Sequence, residues 1–121
     1  MRATTLATLL ITVLPTFASA MDIAEPFKVG TFDIEGHPEV GIVLRDRLIV
    51  ELDEANAALQ KDPAYPVVPL PADMLELIER YEYGMQKRLY EIVNYLAAND
   101  MLGLNRRAFI HDVDDVQTRP P

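Results

Sequence analysis

The sequence contains no cysteine and no tryptophan, and its one serine, Ser19, lies close to the amino terminus. Without cysteine the chain forms no disulfide, so its fold depends on its own core or on surface shared with a partner. Beyond residue 19 the chain offers no serine nucleophile. It also lacks a Gly-x-Ser-x-Gly elbow, a phosphate-binding loop and a dinucleotide fingerprint.

Basic residues are also scarce. Eleven lysines and arginines stand against nineteen acidic residues, which gives a formal charge of −8. A chain this acidic is repelled by nucleic acid and by anionic lipid. The basic residues are scattered apart from Lys87-Arg88 and Arg106-Arg107. We therefore expect no nucleic acid among the partners of this protein.

The first twenty residues have the layout of a secretory signal peptide. Met1-Arg2 is a basic start, an apolar run broken by Pro15 follows, and Ala18-Ser19-Ala20 supplies the small residues of a cleavage site. The alternative is a retained membrane anchor, but a span needs about 20 apolar residues and this run is shorter. We predict a signal peptide at residues 1–20, export to the periplasm or outside the cell, and no stable membrane span after cleavage.

Residues 27–52 have the alternating pattern of three short strands. One apolar row contains Val40, Ile42 and Leu44, and a second contains Leu48, Val50 and Leu52. The clusters at residues 35–38 and 45–47 separate the strands and favour antiparallel hairpins. In the first strand, Phe27 and Val29 point to one face and Phe32 and Ile34 to the other. Gly30 and Gly41 leave space for a neighbouring backbone or side chain.

A short helix and a proline-rich loop follow the strands. We expect Asp53 to cap a helix over residues 54–61, with Ala55, Ala58 and Leu59 facing inward. Four prolines make residues 62–71 a loop. Its apolar pair, Val67-Val68, indicates that the loop lies against the core.

The next segment has the strongest helical pattern in the chain. Pro71 suits a first helical position and Asp73 a first turn. Apolar residues then recur at steps of three and four, which marks one helix face; they are Ile78, Tyr81, Met85, Leu89, Ile92 and Leu96. Because Gly84 weakens a helix by about 1 kcal/mol relative to alanine, we predict two helices, at residues 72–81 and 83–98. One continuous helix is the alternative.

These elements predict an α+β fold: a small three-stranded antiparallel sheet followed by two or three helices. Asn99 and Gly103 are plausible helix terminators. The pattern at residues 106–116 is ambiguous, since neither alternating face is consistently apolar.

The two histidines stand beside acidic residues. His37 lies between Glu35 and Glu39, and His111 precedes an aspartate-rich stretch. Metal ions can use such ligands, but a turn residue and a solvated acidic stretch explain both patterns. The stretch also lacks the glycine and distal glutamate of an EF-hand loop. We predict no catalytic, cofactor-binding or metal-binding residue in this chain.

Tyrosines offer another kind of site. Tyr81 lies on the apolar helix face and is predicted to be a core residue. Tyr83, Tyr90 and Tyr95 are better candidates for a partner interface, where polar aromatic side chains are enriched.

Three pieces of the chain stand in a telling order: KVGTFDIEGHPEVGIVL, then DRLIVELDEANAAL, then LPADMLELIE, with a helix after them. This order and spacing resembles the N-terminal domain of the fumarylacetoacetate hydrolase family over residues 28–96. Bacterial members often open with a Lys-Leu-x-x-Phe strand and continue through a Gly-x-Val strand, a Val-Val-Asp-Leu strand and a Pro-x-Asp-Met-Leu helix start. The likeness extends loosely to residues 112–116, where such proteins carry a last strand before a proline-rich step into the catalytic domain.

The resemblance implies that the chemistry belongs to a second, C-terminal domain. In this family, acidic residues of that domain hold a magnesium- or calcium-type ion, and a His–Glu pair activates water for the hydrolysis of a carbon–carbon bond in a keto acid. The residues at 1–121 stop before those motifs. We expect an N-terminal domain at residues 21–116 and the start of a proline-rich linker at residues 117–121, with any divalent metal in the catalytic domain. The signal peptide departs from the family, which is mostly cytoplasmic.

Three functional hypotheses follow. The first is an accessory N-terminal domain of an exported hydrolase of this family, with the catalytic domain of the same protein as its partner. The second is a stand-alone, exported, acidic module that binds a protein partner without catalysis. The third is a small enzyme in its own right.

Overall fold

The computed structural model describes residues 25–119, which form a mixed α+β fold. The predicted signal peptide lies outside the described residues. The strands are β1 (Phe27–Ile34), β2 (His37–Leu44), β3 (Leu48–Glu51), β4 (Ile110–Asp112) and β5 (Gln117–Arg119). The helices are α1 (Leu52–Leu59), α2 (Met74–Glu79) and α3 (Met85–Ala98). The predicted α+β class is confirmed.

The first three strands form two tight antiparallel hairpins, as predicted. In the first hairpin Phe27 pairs with Leu44, and the turn residues Glu35 and Gly36 have φ of 52° and 84°. Positive φ at both central residues is the requirement of a type I′ turn, whose twist matches that of the flanking strands. In the second turn Arg45 and Asp46 also have positive φ, of 57° and 51°.

The prediction of three strands is wrong, because the described sheet has five, in the order β4-β3-β2-β1-β5. β4 pairs with β3, and β5 pairs with residues 31–33 of β1, both antiparallel. Strands of three residues are too short to give a periodic pattern, and β4 comes from residues 106–116, whose alternation was ambiguous. β5 lies within residues 117–121, the expected start of a linker.

The sheet curls between its two outer strands. In a flat sheet the outer strands β4 and β5 would lie four strand spacings apart, which is about 19 Å. The five residue steps from Asp112 to Gln117 can span at most about 18 Å. Part of the step is a 3₁₀ turn, Val113–Asp115, which shortens its reach. The strands must therefore curve towards the face that this segment crosses.

The helix starts differ from those predicted. α1 begins at Leu52, so Asp53 lies inside its first turn instead of capping it, and the Asp53 carboxylate accepts from the backbone N–H of Glu54. α2 begins at Met74, and the Asp73 carboxylate caps it by accepting from the backbone N–H of Glu76 at 2.9 Å. The Glu76 carboxylate in turn accepts from the backbone N–H of Ala72 at 2.8 Å. The second start is close to a reciprocal capping box.

Two separate helices, α2 and α3, are confirmed. Gly84 separates them with a φ of 117°, a conformation that costs a residue with a Cβ atom but not glycine. A 3₁₀ turn at Tyr81–Tyr83 joins the two helices, and α3 ends at Ala98 with Asn99 as its C-cap. Within residues 25–119, no helix is long and apolar enough to cross a membrane.

The main core lies between one face of the sheet and the helices. Its sheet side contains the predicted apolar rows, including Ile42, Leu44, Leu48 and Val50. Four residues of the predicted helix stripe are fully buried: Met85, Leu89, Ile92 and Leu96. Ile78 does not belong to the core, because its side chain is 62% exposed; Leu77 is the buried residue of α2.

The opposite face of the sheet carries a second, smaller core. Phe32, Ile34 and Ile49 are buried there, with Val113 and Val116 packed against them. The Phe32 ring lies over Gly41, where an added Cβ would come within 2.9 Å of it. The two-sided coverage of the sheet and the space left by this glycine are as predicted.

A buried arginine holds the proline-rich loop against the helices. Arg88 of α3 is 1% exposed; its guanidinium donates to the Asn56 side-chain oxygen at 2.8 Å and to the backbone oxygen of Pro66. The Gln60 side-chain oxygen accepts from the backbone N–H of Val68 at 2.7 Å. The loop is therefore fixed by polar contacts. The prediction that the loop lies against the core is confirmed, because Tyr65 and Leu70 pack on it, although Val67 itself is 79% exposed.

Candidate functional site

A concave, mainly apolar surface lies between β1 and α2, and we call it the β1–α2 groove. It encloses about 430 Å³. Its apolar and aromatic lining comes from the first half of β1, from α2 and from the 3₁₀ turn: Phe27, Val29, Leu77, Ile78, Tyr81 and Tyr83. Its charged lining is Lys28, Glu79 and Glu82. Phe27 and Val29 of β1 are only half-buried, whereas the core residues of β2 and β3, such as Ile42 and Val50, are fully buried.

The floor of the groove is anchored in the core. Leu77 is 1% exposed, and the Phe27 ring meets the Tyr90 ring edge-on, with centroids 5.5 Å apart. Tyr81 is half-buried, and burial raises the pKa of its hydroxyl above 10, with smaller contributions from its interaction and hydrogen bond with Tyr90. Because the floor is tied to α3 through Tyr90, the groove is a preformed feature of the fold.

The outer wall is exposed and apolar. Ile78 is 62% exposed and Tyr83 is 84% exposed. Leu75, one turn before Ile78 on α2, is 65% exposed. Residues three apart share a helix face, so Leu75 extends the apolar surface beyond the groove. Adjoining exposed apolar side chains of this size are typical of a surface that packs against another protein.

The rim of the groove is negatively charged. The carboxylates of Glu79 and Glu82 form no ion pair among residues 25–119. The one cation of the groove, Lys28, lies 3.3 Å from a carboxylate oxygen of Asp46, which offsets its charge. The groove therefore combines an apolar floor with two unneutralised carboxylates.

The structure separates the tyrosines that the sequence grouped together. Tyr83 lies on the groove wall and is the exposed one. Tyr90 supports the groove from behind through Phe27, and Tyr95 is half-buried against the main core. Tyr81, predicted to be a core residue, is half-buried and packs on that core while also lining the groove.

An acidic cleft of about 320 Å³ lies between the start of β2 and α1. Burial raises the pKa of the Glu39 carboxyl above its ordinary value of 4.5, and the nearby carboxylates of Asp53 and Glu51 act in the same direction. Oxygens of Asp53 and Asp73 accept backbone N–H groups of α1 and α2. Among residues 25–119 no group of three or more acidic or histidine side chains is placed to hold a metal ion.

The two histidines lie apart. His37 is exposed at the first position of β2. The ring Nε2 of His111 in β4 lies within hydrogen-bonding distance, 2.9 Å, of a carboxylate oxygen of Glu51 in β3. This contact joins two neighbouring strands, so His111 has a structural role there that its aspartate-rich sequence neighbourhood did not indicate.

Comparison of the chain with protein-family models, with curated proteins and with solved structures finds no match. The resemblance to the fumarylacetoacetate hydrolase family therefore stays a prediction.

Proposed function

We propose that this chain is a non-catalytic accessory domain that packs against another protein domain. The observation that carries the proposal is the β1–α2 groove with its exposed wall of Leu75, Ile78 and Tyr83. A lone monomer rarely leaves neighbouring apolar side chains of this size uncovered. The three side chains together give the surface the apolar centre that a stable interface requires.

We propose further that the partner is the catalytic domain of an exported hydrolase of the fumarylacetoacetate hydrolase type. Two observations support this. The piece LDEANAAL coincides with α1, and LPADMLELIE contains α2 with Asp73 as its cap. Both pieces therefore form helices, and the second contains the helix start that the resemblance implies.

In this proposal the catalytic domain follows residue 121 in the complete protein. That domain would hold a divalent metal ion and hydrolyse a carbon–carbon bond in a keto acid. The present chain would stabilise it and shape one side of its entrance. The predicted signal peptide would direct the protein to the periplasm or outside the cell.

The intact mass of the native protein from the exported fraction tests the proposal. We expect a mass several-fold larger than that of residues 21–121, and metal-dependent keto-acid hydrolysis that a chelator abolishes. A native mass equal to that of residues 21–121 would refute the accessory-domain proposal.

A second candidate is a stand-alone module that binds a separate protein partner. The 84% exposure of Tyr83 favours it, because tyrosine is enriched at the centre of transient interfaces. This candidate would be supported over the first by a native protein that ends near residue 121 and co-purifies with one partner, if Tyr83→Ser abolishes the co-purification.

A further inference from the structure

We propose that the β1–α2 groove binds an extended, apolar segment of the partner that carries a basic residue beside its apolar side chains. The inference rests on the proposed function, because it specifies the surface and the chemistry of the contact with the partner. Three features of the groove carry it: a strand edge that no other described strand covers, an apolar wall and a negative rim.

The strand edge favours an extended ligand. β5 pairs with residues 31–33 of β1, and no other described strand lies on the outer side of residues 27–30. Arg119 stands opposite Thr31, at the end of this pairing. Within residues 25–119 the edge of β1 beside residues 27–30 is thus unpaired on its outer side, which suits strand addition by an extended partner segment.

The apolar wall gives the added strand its specificity. Phe27 and Val29 point to the helix side of the sheet, as do their cross-strand partners in the core. Alternate side chains of an added strand would point the same way and contact Ile78 across the groove. Apolar residues at every second position of the ligand thus meet the wall.

The rim sets the charge of the ligand. Glu79 and Glu82 have no ion-pair partner in the described part of the chain, so a cation on the ligand is attracted to both carboxylates. A second copy of this chain fits poorly, because two grooves facing each other would bring four of these carboxylates together. Complementary charge of this kind steers association and disfavours wrong partners.

A labelled synthetic peptide of alternating leucine and threonine with lysine at both ends is a suitable probe. Its binding to the present chain, without any partner domain, is followed by fluorescence anisotropy at low salt, beside a matched peptide with glutamate at both ends. We expect the lysine peptide to bind about tenfold more tightly than the glutamate peptide, with a difference that shrinks as salt is added.

Variants of the groove locate the binding. Ile78→Ser and Tyr83→Ser should each weaken binding of the lysine peptide about fivefold or more. The pair Glu79→Gln and Glu82→Gln should remove most of the preference for lysine over glutamate ends. Leu104→Ser is the matched control, because Leu104 is 93% exposed and lies outside the groove; it should leave binding unchanged.

Several outcomes would overturn the inference. Equal binding of both peptides, no binding of either, or an effect of Leu104→Ser as large as that of Ile78→Ser would each do so. A protein that sediments as a dimer and becomes a monomer on Ile78→Ser would assign the groove to a second copy. The accessory-domain proposal is tested separately, by the native mass. If the native mass refuted that proposal, binding of the peptide to the groove would still stand.

Discussion

Replacing Arg88 tests how the proline-rich loop is held. The side chain of Arg88 is 0% exposed, and its Nε lies 3.5 Å from a carboxylate oxygen of Glu91. One terminal nitrogen donates to Asn56 at 2.8 Å, and the other to the backbone oxygen of Pro66. Arg88→Met keeps a similar volume but removes the charge and all the donors.

The expected cost follows from what the substitution leaves behind. Asn56 is 3% exposed, so its side-chain oxygen loses its arginine donor without gaining water. An unsatisfied buried acceptor costs about 1–3 kcal/mol, and breaking a buried charged contact by removing one partner costs about 3–5 kcal/mol. We expect the free energy of unfolding to fall by about 3 kcal/mol or more, which for a domain of this size lowers Tm by about 12 °C or more.

Urea titration followed by circular dichroism measures this change, with Lys87→Met as the control. Lys87 is the preceding residue on α3, is exposed and carries the same charge, so Lys87→Met makes the same chemical change outside the core. Such a surface substitution should stay within about 0.5 kcal/mol. Equal midpoints for Arg88→Met and Lys87→Met would refute the role of Arg88.

A double variant gives a sharper test of the same contact. Asn56→Leu alone leaves the Arg88 guanidinium without its closest side-chain acceptor. In the Arg88→Met background, Asn56→Leu removes an oxygen that has already lost its donor. The cost of Asn56→Leu in free energy of unfolding should therefore be smaller in that background. Fully additive costs would mean that the 2.8 Å contact contributes nothing to stability.

Three further substitutions test the core, the sheet and the acidic cleft. Leu89→Ala should lower the free energy of unfolding by about 2–5 kcal/mol because Leu89 is fully buried, and Leu104→Ala, at a residue 93% exposed, should not; an unchanged Tm for Leu89→Ala would contradict the core assignment. Gly41→Ala should cost about 1–3 kcal/mol in urea titration, since its Cβ would lie 2.9 Å from the Phe32 ring. Glu39→Gln should raise Tm at pH 7 but not below pH 4.5. The pKa of the Glu39 carboxyl is raised in the folded state, so the protonated carboxyl stabilises the fold fully at low pH. This stabilisation is lost as the pH rises through the folded-state pKa, and glutamine, which stays neutral, does not lose it. A Tm gain that is the same at both pH values would contradict this.

The hairpins and the larger helix could be predicted because their patterns are local. Alternation in β2 and β3 and turn residues between them determine their pairing without reference to distant parts of the chain. The period of α3 likewise depends on residues three and four apart. β4 and β5 could not be predicted, because three-residue strands depend on edges supplied by β3 and β1, 60 or more residues away in the chain.

Arg88 was missed for a different reason. It lies three residues after Met85 and four before Ile92, both of which are buried, so its position has the spacing of the stripe. An arginine at such a position is ordinarily assigned to the solvent side. Its burial depends on Asn56 and on the loop carbonyl of Pro66, and neither contact leaves a trace in local periodicity.

The error at Ile78 bears on function. Helical spacing alone places Ile78 on the stripe with Met85 and Leu89, but the 3₁₀ turn and the left-handed conformation of Gly84 break the helix between them. The stripe is interrupted, Leu77 takes the core position, and Ile78 is left on the groove wall. Where local pattern and tertiary position disagree, the residue often serves something other than the core. The glycine that interrupts the helical pattern thus also leaves an apolar side chain on the wall of the β1–α2 groove, where we propose that a partner binds.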